Sequence, residues 1–247
     1  PVWPPTGIAI AALFLAGRRL WPGVFVGAFI SNWQVGGDGL IALQIASGNT
    51  LEALVAVWLI NGLIHRRYFL NQSRSVFVFS LIILLATSIS ALLGGLAVSG
   101  WPMSGVLDHA FFANVWITWW VGDAVGALVF IPLILSYSQK YRSSQRTKTE
   151  LLLFSLMTLL LLALVFGGWS IFHLNSLPFA FLPLPAMVAI GYRLGLRGVV
   201  LFTLSLSVVA IIGTIRGFGP FVQEDAGLSL LLLQVYIGCV ALSGLLL

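Results

Sequence analysis

The stretch Trp116-Ile117-Thr118-Trp119-Trp120-Val121-Gly122-Asp123-Ala124-Val125-Gly126-Ala127-Leu128 decides the fold. It lies inside an apolar run from about His109 to Ser136. Such a run exceeds the ~20 residues a helix needs to cross ~30 Å of hydrocarbon. Asp123 stands near its middle, where a carboxylate costs roughly 2.5–3.5 kcal/mol even on the lenient insertion scale. The run therefore reads as a transmembrane helix carrying an acid whose cost something must offset.

Composition extends that reading to the whole chain. Hydrophobic residues make up 60% of the 247, charged residues only 8%, and mean hydropathy is +1.06. A soluble domain has no use for so much apolar surface, so the expected fold is all-α, a polytopic helical bundle. The single cysteine, Cys239, excludes an intramolecular disulfide. The net charge of +5 does not point to nucleic acid, because basic residues of membrane proteins collect in cytoplasmic loops.

Nine apolar segments are expected, at roughly 5–17, 20–33, 40–64, 76–99, 110–136, 151–171, 178–192, 198–215 and 228–247. Their connections alternate in charge. Arg18 and Arg19; Arg66, Arg67 and Arg74; Lys140, Arg142, Arg146 and Lys148; and Arg193 and Arg197 occupy alternate loops. Of the basic residues only Arg216 falls on the other side, with Asp38, Asp108, Glu224 and Asp225. Under the positive-inside rule the chain starts outside and ends in the cytoplasm. Segments 5–17, 20–33 and 178–192 are short for lipid-exposed spans. The first two read as a tight hairpin turning at Gly17 to Pro22, buried among other helices or thinning the bilayer around it. Pro183 and Pro185 are expected to kink the third.

Two acids lie deep within segments, Glu52 and Asp123. On a helix Asn49 and Glu52 share a face, with Gly48 leaving a gap beside them. Trp116, Trp119, Trp120 and Asp123 form a stripe on another helix. Facing each other, these stripes would hold a small cationic or hydrogen-bonding ligand against a wall of indoles. They could equally hold a proton. The structural alternative is that the acids bond Asn49, Thr118 or an indole N–H and only join helices. Arg216 reads as an anion clamp, as a lid residue pairing Glu224 or Asp225, or as a solvated loop arginine; Gln234 is a further polar residue inside the last segment. Trp21, Trp33 and Trp101 read as interfacial belt residues. His65, His109 and His173 lack metal-ligand spacing, and no phosphate loop, nucleophile elbow or zinc motif occurs. No metal site, catalytic residue or particular cofactor is indicated.

Several of these stretches occur together in a recognisable order. They are Trp3-Pro4-Pro5-Thr6-Gly7-Ile8-Ala9, Gly17-Arg18-Arg19-Leu20-Trp21-Pro22-Gly23, Gly48-Asn49-Thr50-Leu51-Glu52-Ala53, Trp119-Trp120-Val121-Gly122-Asp123-Ala124-Val125-Gly126, Pro132-Leu133, and Gly213-Thr214 through Gly219-Pro220-Phe221. In register they resemble the type 1 membrane-associated sensor domain (MASE family) of bacterial signalling proteins. The resemblance covers nearly the whole chain. It implies a single sensory input domain in the bacterial inner membrane, lacking here its first helix and a following cytoplasmic output domain. In that family the output is commonly a histidine kinase or a diguanylate cyclase. For the full-length protein the resemblance implies a homodimer, since such outputs generally work as dimers; a partner membrane protein is, separately, an alternative receptor. A transporter or substrate-capture subunit, suggested by the broken helices and midplane acids, and a passive anchor are the competing readings.

Overall fold

A computed structural model describes residues 2–64, 69–70, 72–100, 108–138, 148–168 and 177–247. Eight α-helices carry the chain: α1 Pro4–Ala16, α2 Trp21–Gly36, α3 Gly39–Leu63, α4 Ser73–Val98, α5 His109–Ser138, α6 Lys148–Phe166, α7 Pro183–Ile215 and α8 Ala226–Leu246. Short 3₁₀ turns occupy Arg18–Leu20 and Leu177–Phe181, and no strand occurs among the described residues. Among those residues, six helices, α3 to α8, are long and apolar enough to cross a membrane; α1 is a shorter apolar helix.

Local chemistry sets the helix ends. Prolines open α1 and α2, where a missing N–H costs nothing. Gly17 ends α1 at φ 102°, and Gly37 ends α2 in a left-handed cap. Three of the loop acids are N-caps. Asp38 Oδ1 accepts from the Leu40 and Ile41 amides at 2.8 and 3.2 Å. Asp108 accepts from Ala110 and Phe111, and Asp225 from Gly227.

Two compact units make up the described chain, one of residues 2–131 and one from Pro132 onward. In the first, α1 and α2 both pack on α3, and α3 packs on α4. Phe69 stacks on Phe14 at 5.4 Å and meets Phe79 edge-on at 5.1 Å. The hairpin is not buried as a whole. Helix α1 buries six residues, whereas α2 buries none, and Trp21 and Trp33 near its ends are exposed. Trp101 lies outside the described residues, as do His65, His173 and the Arg66–Arg67 pair.

The second unit holds α6, α7 and α8. The segment expected at 198–215 and most of the one expected at 178–192 belong to α7, which breaks at Gly195 (φ 62°, ψ −162°). A Cβ on Gly191 would lie 3.2 Å from Val199 Cγ2. Eight residues of straight helix rise about 12 Å, so the two halves bend sharply back on each other. Pro183 opens α7 rather than kinking it, because an N-terminal proline breaks no helical bond. The last turn of α8 meets this bend through Gly244, whose Cβ would lie 2.6 Å from Val199 Cγ1. At the same end Arg197 donates from Nε to the Ser136 carbonyl at 3.0 Å and lies over the Tyr137 ring. Arg193 stands 4.0 Å from Glu150. Toward the other end Phe166, Phe221 and Tyr236 form an aromatic cluster, and Tyr236 donates to the Ala180 carbonyl.

Candidate functional site

The polar centre of the first unit is assembled by four helices. Helix α3 brings Asn49 and Glu52, α4 brings Ser90, α5 brings Asp123 and α1 brings Thr6. Glu52 is 1% exposed and Asp123 6%, so neither meets bulk water. Thr6 Oγ1 donates to Asp123 Oδ1 at 3.1 Å. Ser90 Oγ donates to Asn49 Oδ1 at 2.6 Å. The Thr6 and Ser90 side chains lie against both carboxyls. Neither Glu52 oxygen accepts a hydrogen bond of good geometry from the described residues. A buried acceptor left so costs on the order of 1–3 kcal/mol. A carboxyl so placed can take up a new hydrogen-bond partner.

Close backbone approach puts Thr6 beside Asp123. The Trp3 amide donates to the Gly122 carbonyl at 3.1 Å. The Trp3 carbonyl occupies the space a Cβ on Gly126 would take. A Cβ on Gly7 would lie 2.6 Å from the Gly126 carbonyl oxygen. Glycines at 7 and 126 thus let α1 lie directly on α5, and Thr6 lands on the acid as a result.

A cavity of about 510 Å³ opens between α1 and α2. Trp3, Thr6 and Ala12 line it from α1 and the residue before it. Leu20, Gly27 and Asn32 line it from α2 and the residue before it, and Asn49 contributes from α3. Thr6 and Asn49 therefore both face the cavity, while Thr6 also bonds Asp123 and Asn49 also bonds Ser90.

The structure gives the other expected site residues different neighbours. Trp119 lies against Gly94, in the space that residue's Cβ would fill. Trp120 donates from Nε1 to the Leu84 carbonyl at 2.8 Å and stacks on Trp116 at 5.2 Å. The indole stripe thus engages α4, and the indole lining the cavity is Trp3. The gap expected at Gly48 is filled by α4, since a Cβ there would lie 3.2 Å from Leu93 Cβ. Thr118 bonds the Asn114 carbonyl rather than an acid. Arg216 and Gln234 belong to the second unit. Arg216 is exposed at the end of α7, and the described residues show no ion pair to Glu224 or Asp225. Gln234 is buried in α8. Sequence reasoning omitted Thr6 and Ser90 from the site. Thr6 stood in a quoted motif, but nothing in its spacing tied it to Asp123.

The family model for MASE1 matches residues 1–247. No curated protein and no solved structure matches the chain.

Proposed function

Since the chain belongs to the MASE1 family, a membrane-associated sensor domain of signalling proteins, we propose that residues 1–247 form one sensory input domain relaying a signal to a cytoplasmic output. Its setting is the bacterial inner membrane and its working form a homodimer. The output it drives is a histidine kinase or a diguanylate cyclase in the same chain. Reception occurs at Glu52 and Asp123, with Thr6, Asn49 and Ser90 as their partners.

One observation carries this reading: two carboxyls buried side by side, one of them without a good hydrogen bond. Intramembrane acids are expensive and mark functional sites by default. A signal acts by stabilising one packing of α1, α3, α4 and α5 over another, through differential affinity for the two.

The test uses the full-length protein in its own membrane. Glu52→Gln and Asp123→Asn keep shape and remove charge. Normal membrane levels with altered kinase phosphorylation or cyclic di-GMP support reception at this pair. Unchanged output from both variants at normal levels defeats it.

A further inference from the structure

Helix α2 is apolar and buries no residue, although it packs on α3 and faces α1 across the cavity. Its cavity wall is smooth. A Cβ added at Gly23 or Gly27 would meet nothing within 4 Å. From Leu20 to Asn32 the wall runs about 18 Å at 1.5 Å per residue. At about 510 Å³ beside this wall, the cleft is of a size to seat an alkyl chain.

The polar part of the cavity specifies a head. Asn49 uses Oδ1 to accept from Ser90, which leaves its amide hydrogens without a partner among the described residues. Thr6 donates its hydroxyl hydrogen to Asp123 and keeps its oxygen as an acceptor. Among the described residues no lysine or arginine lines the cavity, and the two acids lie just behind Thr6 and Asn49. An anionic head would meet no cation there. An ammonium would point donors at the Asn49 amide. A hydroxyl accepts from Asn49 and donates to Thr6.

We propose that the α1–α2 cleft binds one long-chain amphiphile with an uncharged hydroxyl head, seated between Asn49 and Thr6 with its chain along Gly23 and Gly27. The inference deepens the reading above by supplying the ligand class. The head touches the outer members of the Thr6–Asp123 and Asn49–Ser90 bonds, which tie α1 to α5 and α3 to α4.

The test reconstitutes the full-length protein in nanodiscs of phosphatidylethanolamine and phosphatidylglycerol. The probe is hexadecanol carrying a mid-chain diazirine, with labelled residues located by mass spectrometry. Labelling is expected on residues 5–12 and 20–32, and excess hexadecanol abolishes it while hexadecane does not. Asn49→Leu should weaken the competition about tenfold, the worth of one or two hydrogen bonds. Gly27→Leu, which fills open space, should remove the labelling. If a hexadecane diazirine or an acyl-diazirine phosphatidylglycerol labels these residues equally and hexadecanol does not displace it, bulk lipid fills the cleft and the inference fails. The competition on the unaltered protein decides the matter even if a variant folds badly. Labelling that persists while Glu52→Gln and Asp123→Asn leave output unchanged would defeat the receptor reading and spare the binding site.

Discussion

Thr6 and Ser90 differ from most hydroxyls in this chain by where they point. Thr50, Ser80, Thr87, Thr203 and Ser207 each donate to the carbonyl four residues back in their own helix. Thr6 and Ser90 instead reach another helix. Thr6→Val removes the hydroxyl that donates to the buried Asp123 carboxyl, so it should cost about 1–3 kcal/mol in thermal unfolding of the detergent-solubilised protein. Thr6→Ser should recover most of that. Gly126→Ala pushes a methyl into the Trp3 carbonyl and should cost about 1–3 kcal/mol, whereas Gly23→Ala enters open space and should leave the melting temperature unchanged or raise it. Equal effects at the two glycines would contradict the α1–α5 contact. Glu52 and Asp123 were legible in the sequence because lipid makes any acid conspicuous. Their partners were not, because a serine or threonine on an apolar helix reads the same whether it bonds its own backbone or crosses to a neighbour.

At the scale of elements, run length and punctuation revealed most helices. The reading failed where two elements share responsibility for a face. The sequence suggests a gap at Gly48, yet packing of α4 closes it, and single-helix periodicity carries no information on the neighbour. The tryptophan stripe is genuine on α5, but Gly94 and the Leu84 carbonyl draw it onto α4. The break in α7 sits at Gly195 rather than at the prolines, because φ 62° with ψ −162° is nearly glycine's alone. Gly195→Ala should therefore cost on the order of 1–3 kcal/mol, and a circular dichroism melt measures it. Gly17→Ala gives a companion test at φ 102°, with open space around it and strain as the sole penalty.

For the whole molecule, the charge alternation predicts sidedness. On a Cys239→Ser background, Val35→Cys and Glu224→Cys should react with an impermeant maleimide in intact cells. Tyr192→Cys should react only after permeabilisation. Val35 and Tyr192 are 91% and 89% exposed, so access is not limited by packing. Labelling of Tyr192→Cys from outside would invert the arrangement. Glu150, Ser136 and the last turn of α8 all gather around the α7 bend. Run straight, the 33 residues of α7 would measure about 50 Å, far more than a ~30 Å core, yet would cross it once. Doubled back at Gly195, the helix has halves of 12 and 20 residues, about 18 and 30 Å long. A bend that adds one passage reverses the side of the membrane a continuing chain would reach, so sidedness beyond Leu247 would turn on a residue that has no side chain.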